Sequence, residues 1–291
     1  MTPDLYARFR FVDKPRLARG IGLALGGGFA RGGAYLGVLK VFEEQRIPIA
    51  CISGSGIGSL MGAAYASGEL DSLIEKCRKI RFRKTGRWRV SRFGLASSDW
   101  LEQFRQTLDA IQLEHLRIPV AIVATDLDSG DPVVFRQGGL TQAIRASCAF
   151  PGLLEPVQIG TRYLADGGLV APVPTRAARE LGAEIVVGVS VGLHDACRGA
   201  PRDIFQVVTR AVSAAQKQQL EVWEQHADLV LRPAVHNIAW NDFDRLDEAI
   251  EAGGNVARTA LPQVRRLLDI LAENAQEPGK QGEYLIAESL G

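Results

Sequence analysis

Twice within its first 70 residues the chain passes from a short apolar run through clustered glycines into a helical pattern. Residues 21–25 (IGLAL) lead through Gly26, Gly27 and Gly28 into a helix from about 31 to 45, and residues 49–53 (IACIS) lead through 54–58 into a helix over 58–67. A strand that hands over to a helix and then repeats the move does not close a hairpin. Its successor lies parallel to it, with the helix crossing over the sheet.

Further apolar runs fall at 120–126 (VAIVATD), 133–135 (VVF), 163–165 (YLA), 184–190 (EIVVGVS) and 228–232 (DLVLR). Helical patterns fall at about 98–110, 139–147, 174–181, 202–227 and 244–273. This alternation predicts an α/β protein of three α/β/α layers, with a central, mostly parallel sheet covered on both faces. No repeat and no Pro/Ser-rich linker divides the chain, so 21–273 reads as one domain, with 1–20 as an N-terminal extension and 274–291 as a polar, loosely ordered tail. With 291 residues, 46% hydrophobic and 23% charged, disorder, collagen and coiled coil are set aside.

Cys51, Cys77, Cys148 and Cys197 include no C-x-x-C pair and are too sparse for a disulfide scaffold, so a reducing, cytoplasmic setting is expected. Residues 1–20 scatter Arg and Asp and hold no apolar block of signal-peptide length. Residues 47–68 carry no formal charge for 22 residues, long enough to span a bilayer, but five glycines, four serines and Pro48 among them read as a turn between two buried elements.

Three pieces carry chemistry. At Gly26–Gly28, missing side chains let a ligand oxygen approach backbone N–H groups, and the next helix adds its N-terminal partial charge. The turn suits an anion, whether a phosphate or the oxyanion of acyl transfer; plain tight packing is the alternative. The nucleotide patterns fail, because no Gly-Lys-Ser/Thr follows and G-x-G-x-x-G counted from Gly26 meets Arg31. Gly54-Ser55-Gly56-Ile57-Gly58 has the layout of a nucleophile elbow, G-x-S-x-G, except that the serine position is Gly56, and neither Ser53, Ser55 nor Ser59 restores the pattern in another frame. Asp166, ending a short strand before Gly167 and Gly168, suits a base that orients a nucleophile, or else an Asp-Gly hairpin turn.

GGGFARGGAYLGVL, SGSGIGSLMGAAYASG, VATDLDSGDPVVF, IRASCAFPGLLEPV, YLADGGLVAPVP and ADLVLRP follow one another from about residue 21 to about 233. In that order they resemble the bacterial patatin-like phospholipases, lipid acyl hydrolases that work by a Ser-Asp dyad. The resemblance implies a patatin-like fold, an oxyanion hole at Gly27 and Gly28 with Phe29 and Arg31 beside them, Asp166 as the dyad base, and Gly56 where the serine nucleophile belongs. The expected substrate is a lipid or other carboxylic ester. Without a serine Oγ no acyl-enzyme forms, a loss of roughly 10⁶-fold by analogy with triad knockouts. Two accounts of Gly56 stand open: a serine-to-glycine replacement introduced into an intact hydrolase, or a natural protein that keeps the pocket for lipid binding or regulation. Survival of both turns and of the elbow glycines favours the first.

His115, His194, His226 and His236 sit in no motif, and neither a metal nor another cofactor is expected. Cys148 reads as a small buried residue rather than a substitute nucleophile. Residues 76–92 hold nine of the 34 basic residues and no acid, leaving 25 basic against 33 acidic residues elsewhere. Arg81, Arg83, Lys84, Arg87, Trp88 and Arg89 in this stretch are candidate contacts to an anionic membrane, at the inner face of the cell membrane. A solvated helix end is the plainer alternative, and nucleic acid is the disfavoured rival because the resembled family places this region near its pocket entrance. The long helix expected over 202–227 is compatible with a homo-oligomer.

Overall fold

The first apolar run folds as strand β1 (Ile21–Leu25) and the second as β2 (Ile49–Ser55). β1 alternates Ile21, Leu23 and Leu25 toward one face of the sheet with Ala24 toward the other. A computed structural model describes residues 19–79, 108, 110–192, 200–201 and 204–276. Nearly all of the helix expected over 98–110 and the basic residues 81–89 lie outside the described residues, as do His194 and Cys197.

The remaining strands are β3 (Val120–Asp126), β4 (Pro132–Phe135), β5 (Val157–Ile159), β6 (Arg162–Asp166), β7 (Ile185–Val189) and β8 (Leu229–Leu231). They join in the order β5-β6-β3-β2-β1-β7-β8, with β4 also paired to β3. β3, β2, β1, β7 and β8 run parallel, whereas β4 and β6 run antiparallel to β3. The mixed α/β architecture with a mostly parallel sheet is therefore as expected from the alternation. The uncharged stretch 47–68 is β2, a turn and a helix, and no helix among the described residues is long and apolar enough to cross a membrane.

Helices cover both faces. On one lie α1 (Gly33–Glu44), α2 (Ile57–Ser67), α3 (Leu70–Lys79), α4 (Leu140–Ser147) and the long C-terminal helix Leu246–Gln276. On the other, α5 (Thr175–Leu181) and Trp223 pack on Ala24, Cys51, Ala121, Val123 and Val186. Small residues keep this second face low: a Cβ on Gly22 would lie 2.4 Å from the Ala183 Cβ. Burying each large apolar side chain contributes roughly 1.5–3 kcal/mol.

Several boundaries differ from the sequence reading, each for a local reason. The helix expected from about residue 31 begins as a 3-10 turn, Phe29–Gly32, before α1 starts at Gly33. The helix expected over 202–227 is two, α6 (Ile204–Gln218) and α7 (Leu220–Glu224), parted where the Gln219 N–H bonds the Gln216 carbonyl three residues back. The C-terminal helix is hereafter α8 (Leu246–Gln276). α3 and the three-residue β5 were not foreseen: α3 opens the charge-rich segment, and β5 is too short to show a period.

Strand β3 sets the site. Its residues 122–125 pair with β4 on one edge. On the other edge β2 pairs as far as Ser55↔Val123, and β6 takes over at the next residue, Asp166↔Ala124. β2 and β6 thus meet end to end, each by its C-terminus.

The α1–α8 crossing depends on two glycines. A Cβ on Gly37 would lie 1.9 Å from the Ile250 carbonyl oxygen, and one on Gly253 would lie 1.9 Å from that of Ala34. Gly37→Ala and Gly253→Ala are each expected to destabilise the fold by about 2–3 kcal/mol or more, read as a lower denaturation midpoint at unchanged secondary-structure content.

Candidate active site

Gly56 follows β2 directly and opens α2 with φ +54° and ψ −129°, a conformation that side chains rarely adopt. Its N–H donates to the Ser147 Oγ (2.9 Å), whose own O–H donates to the Val123 carbonyl (2.6 Å). Its carbonyl accepts from the Ser59 N–H (3.0 Å) and Oγ (2.6 Å). The flanking glycines serve space: a Cβ on Gly54 would lie 2.4 Å from the Ser59 Cα, and one on Gly58 would lie 2.3 Å from the Leu25 carbonyl oxygen. The result is an elbow pressed against the sheet, with position 56 at its apex.

Asp166 ends β6 opposite this apex. A Cβ at position 56 would lie 3.2 Å from its Oδ2, 3.7 Å from its Oδ1 and 3.5 Å from the Gly27 Cα. The carboxylate is held by the Gly168 N–H on Oδ1 (2.7 Å), and its backbone by the Thr125 hydroxyl on its carbonyl (2.7 Å) and by its own N–H on the Ala149 carbonyl (3.0 Å). Gln216 of α6 donates to the Gly168 carbonyl (2.8 Å), pinning the Asp-Gly-Gly turn from outside the sheet. Burial pushes the Asp166 carboxyl up to about 7, against the opposing pull of the Gly168 N–H.

The third wall is the turn after β1. The Gly26 N–H donates to the Val189 carbonyl and the Gly27 N–H to the Pro172 carbonyl, both at 3.3 Å, and Tyr35 O–H donates to the Gly27 carbonyl (3.0 Å). Gly28 sits at φ +150°, where a Cβ would collide with Val191 at 2.2 Å. Phe29 also has positive φ, +52°, an uncommon state for a bulky residue, and its ring is fixed edge-on by Phe150 (5.1 Å) and Trp240 (5.3 Å). Unlike Gly27, Gly28 and Phe29 have backbone N–H groups with no protein acceptor among the described residues. Arg31, 1% exposed, donates Nε to the Ile238 carbonyl (2.7 Å), Nη1 to that of Gly192 (2.6 Å) and Nη2 to that of His236 (3.4 Å). It braces the turn from behind rather than facing a ligand.

These walls line a cleft in which Gly27, Gly28 and Asp166 stand beside the apolar Phe29, Ile57, Phe150, Leu153 and Phe243. The structure thus brings Gly56, Asp166, Gly27, Gly28, Phe29 and Ile57 together. Ser55 is turned away: it is fully buried, a Cβ on Gly167 would lie 3.3 Å from its Oγ, and that Oγ has no hydrogen-bond partner. Cys148 lines the cleft, but burial, and then the charge of Asp166, push its thiol far above the usual range, so it is no thiolate nucleophile. His115, His226 and His236 stand away from the cleft lining, and no group of three His, Cys, Asp or Glu residues suited to a metal occurs among the described residues. Gln216 belongs to no pattern that marks it in the sequence, whereas Ser147, Thr125 and Pro172 fall within the IRASCAFPGLLEPV, VATDLDSGDPVVF and YLADGGLVAPVP segments without a positioning role being legible there.

The family model for patatin-like phospholipase matches residues 23–179. An uncharacterised NTE-family protein of Mycobacterium tuberculosis is 35% identical over 206 residues, covering 69% of this chain and 56% of its own. Human patatin-like phospholipase domain-containing protein 6 is 27% identical over 291 residues, covering 84% of this chain and 21% of its own. Neuropathy target esterase sws of Drosophila melanogaster is 28% identical over 204 residues, covering 66% of this chain and 14% of its own. The chain thus spans about half of the mycobacterial relative and a fifth or less of the animal ones.

A folded-state carboxyl near 7, well above its unfolded value of about 4, favours folding only while protonated. That contribution is full below about pH 4 and is lost as pH rises through 7. Asp166→Asn keeps an acceptor for the Gly168 N–H without the charge. It is expected to flatten the fall in melting temperature between pH 4.5 and 8 and to be the more stable protein at pH 8, by a few kcal/mol in chemical denaturation.

Proposed function

The chain belongs to the patatin-like phospholipase family, and from that premise we propose that its cleft is a lipid acyl-ester site of the Ser-Asp type in which Gly56 occupies the nucleophile position. The observation that carries the reading is the 3.2 Å between the position of a Cβ on residue 56 and Asp166 Oδ2. It puts a serine hydroxyl there within hydrogen-bond reach of the carboxylate, beside two uncommitted N–H groups. With serine at 56, Oγ attacks the acyl carbonyl and its proton passes to Asp166. The oxyanion is held by N–H groups of the Gly28 turn, and the alkoxide leaves with the proton. Water then releases the acid by the reverse proton path. Gly28 and Phe29 suit the oxyanion better than the Gly27 and Gly28 pair read from the sequence, because the Gly27 N–H already serves Pro172. Phe29, Phe150, Leu153 and Phe243 suit an acyl chain.

As written, the chain forms no acyl-enzyme: Ser55 is turned away, Ser59 and Ser147 are engaged in backbone bonds, and the Cys148 thiol is held neutral. A second reading, a natural lipid-binding or regulatory protein, draws on Gly56 itself, which relieves backbone strain where a serine adds it. We infer from the sequence alone that Arg81, Arg83, Lys84, Arg87, Trp88 and Arg89 meet anionic headgroups at a membrane surface; retention on phosphatidylglycerol vesicles but not on neutral ones is the expected result.

Gly56→Ser is expected to create p-nitrophenyl butyrate hydrolysis that rises with pH through about 7, as the Asp166 carboxylate appears. Adding Asp166→Ala is expected to abolish it. The same Gly56→Ser change lowers stability by up to about 1–3 kcal/mol, since serine there is strained. A folded Gly56→Ser protein without hydrolysis leaves the lipid-binding reading in its place.

A further inference from the structure

We propose that the cleft as this chain carries it hydrolyses acyl esters in a single displacement, with a water molecule beside the Gly56 Cα taking the part of the serine hydroxyl. The inference rests on the ester-site reading above and goes beyond it, because it assigns an activity to the glycine form itself.

Three observations carry it. First, Asp166 Oδ2 faces position 56 and accepts no hydrogen bond from the described residues, the Gly168 N–H being taken by Oδ1. Second, Asp166 lines the cleft together with Gly27, Gly28 and Ile57, so a water hydrogen-bonded to Oδ2 at about 2.8 Å can stand in the cleft at van der Waals distance from Gly56, which carries no side chain to displace it. Third, no side chain competes for the place, since the Ser59 and Ser147 hydroxyls are committed to the Gly56 and Val123 carbonyls and Ser55 is buried on the other side of the strand.

The acyl carbonyl, with its oxygen on the Gly28 and Phe29 N–H groups, would then present its carbon to the water. The water oxygen bonds to the carbonyl carbon as one of its protons passes to Asp166 Oδ2. The tetrahedral intermediate collapses, the ester C–O bond breaks, and the alkoxide takes the proton from Asp166. Ester and water thus give acid and alcohol, and the carboxylate is regenerated. Its elevated proton affinity suits a base working near neutral pH.

The experiment compares p-nitrophenyl butyrate hydrolysis by the glycine form with Asp166→Asn, Gly56→Ala and Gly56→Ser, each checked for folding by circular dichroism. Alanine keeps the carboxylate and the N–H groups but places a methyl where the water would sit. Expected is a slow, burst-free hydrolysis by the glycine form, unaffected by a fluorophosphonate probe and at least about 10-fold above both Asp166→Asn and Gly56→Ala. If Gly56→Ala does not fold, Asp166→Asn carries the comparison. A glycine form no faster than Asp166→Asn overturns the water mechanism, while activity in Gly56→Ser then still sustains the ester-site reading. An acyl adduct on Cys148 in the intact mass overturns it as well. A glycine form no faster than Asp166→Asn together with a folded Gly56→Ser without activity overturns both.

Discussion

One edge of β3 is shared by two strands that approach each other head-on. β2 brings the elbow as far as Val123 and β6 brings Asp166 to Ala124, so consecutive residues of a single buried strand position the Gly56 apex and the Asp166 carboxylate. The spacing between them is therefore a property of backbone pairing rather than of flexible side chains. Even the side chains that help are anchored to β3 or beside it: Ser147 ties the Gly56 N–H to the Val123 carbonyl, and Thr125 holds the Asp166 carbonyl.

The turn after β1 is assembled on the opposite principle, from contacts remote in sequence. Pro172 accepts from Gly27, Val191 closes on Gly28, Trp240 and Phe150 fix the ring of Phe29, and Arg31 reaches three carbonyls between residues 192 and 238. Two successive residues with positive φ are held there by the surroundings, a strain that the fold over-determines rather than relieves. Among the described residues no group accepts from the N–H groups of Gly28 and Phe29 as a result.

Much of this was legible in the sequence. The paired strand–glycine–helix units placed β1, β2 and their helices, and the motifs singled out Gly56, Asp166 and the glycine turn. Their adjacency was expected from the family resemblance and not from the residues themselves, because it depends on β6 running antiparallel onto an edge that β2 vacates, and strand direction leaves no mark on a three-residue apolar run. Arg31 looked like a neighbour of the oxyanion turn, and only its carbonyl partners reveal a brace. Gln216 has no motif because its role is to meet a backbone carbonyl, which any polar residue at the right register can do. The Gly27 N–H could be assigned to the oxyanion from sequence because its engagement with Pro172, far along the chain, cannot be seen there.

The bond between Arg31 and the Ile238 carbonyl spans 207 residues. At a synthesis rate of about 5–20 residues per second, the N-terminal turn waits roughly 10–40 s on the ribosome before its brace has been made. The same holds for α1, whose glycine groove is filled only by α8. A nascent chain therefore carries two strand–helix units with apolar surface uncovered for most of its translation, and the cleft takes shape in one late, cooperative event. Chaperone occupancy on this protein should follow that timetable, concentrated on the first two helices and ending when the last one docks.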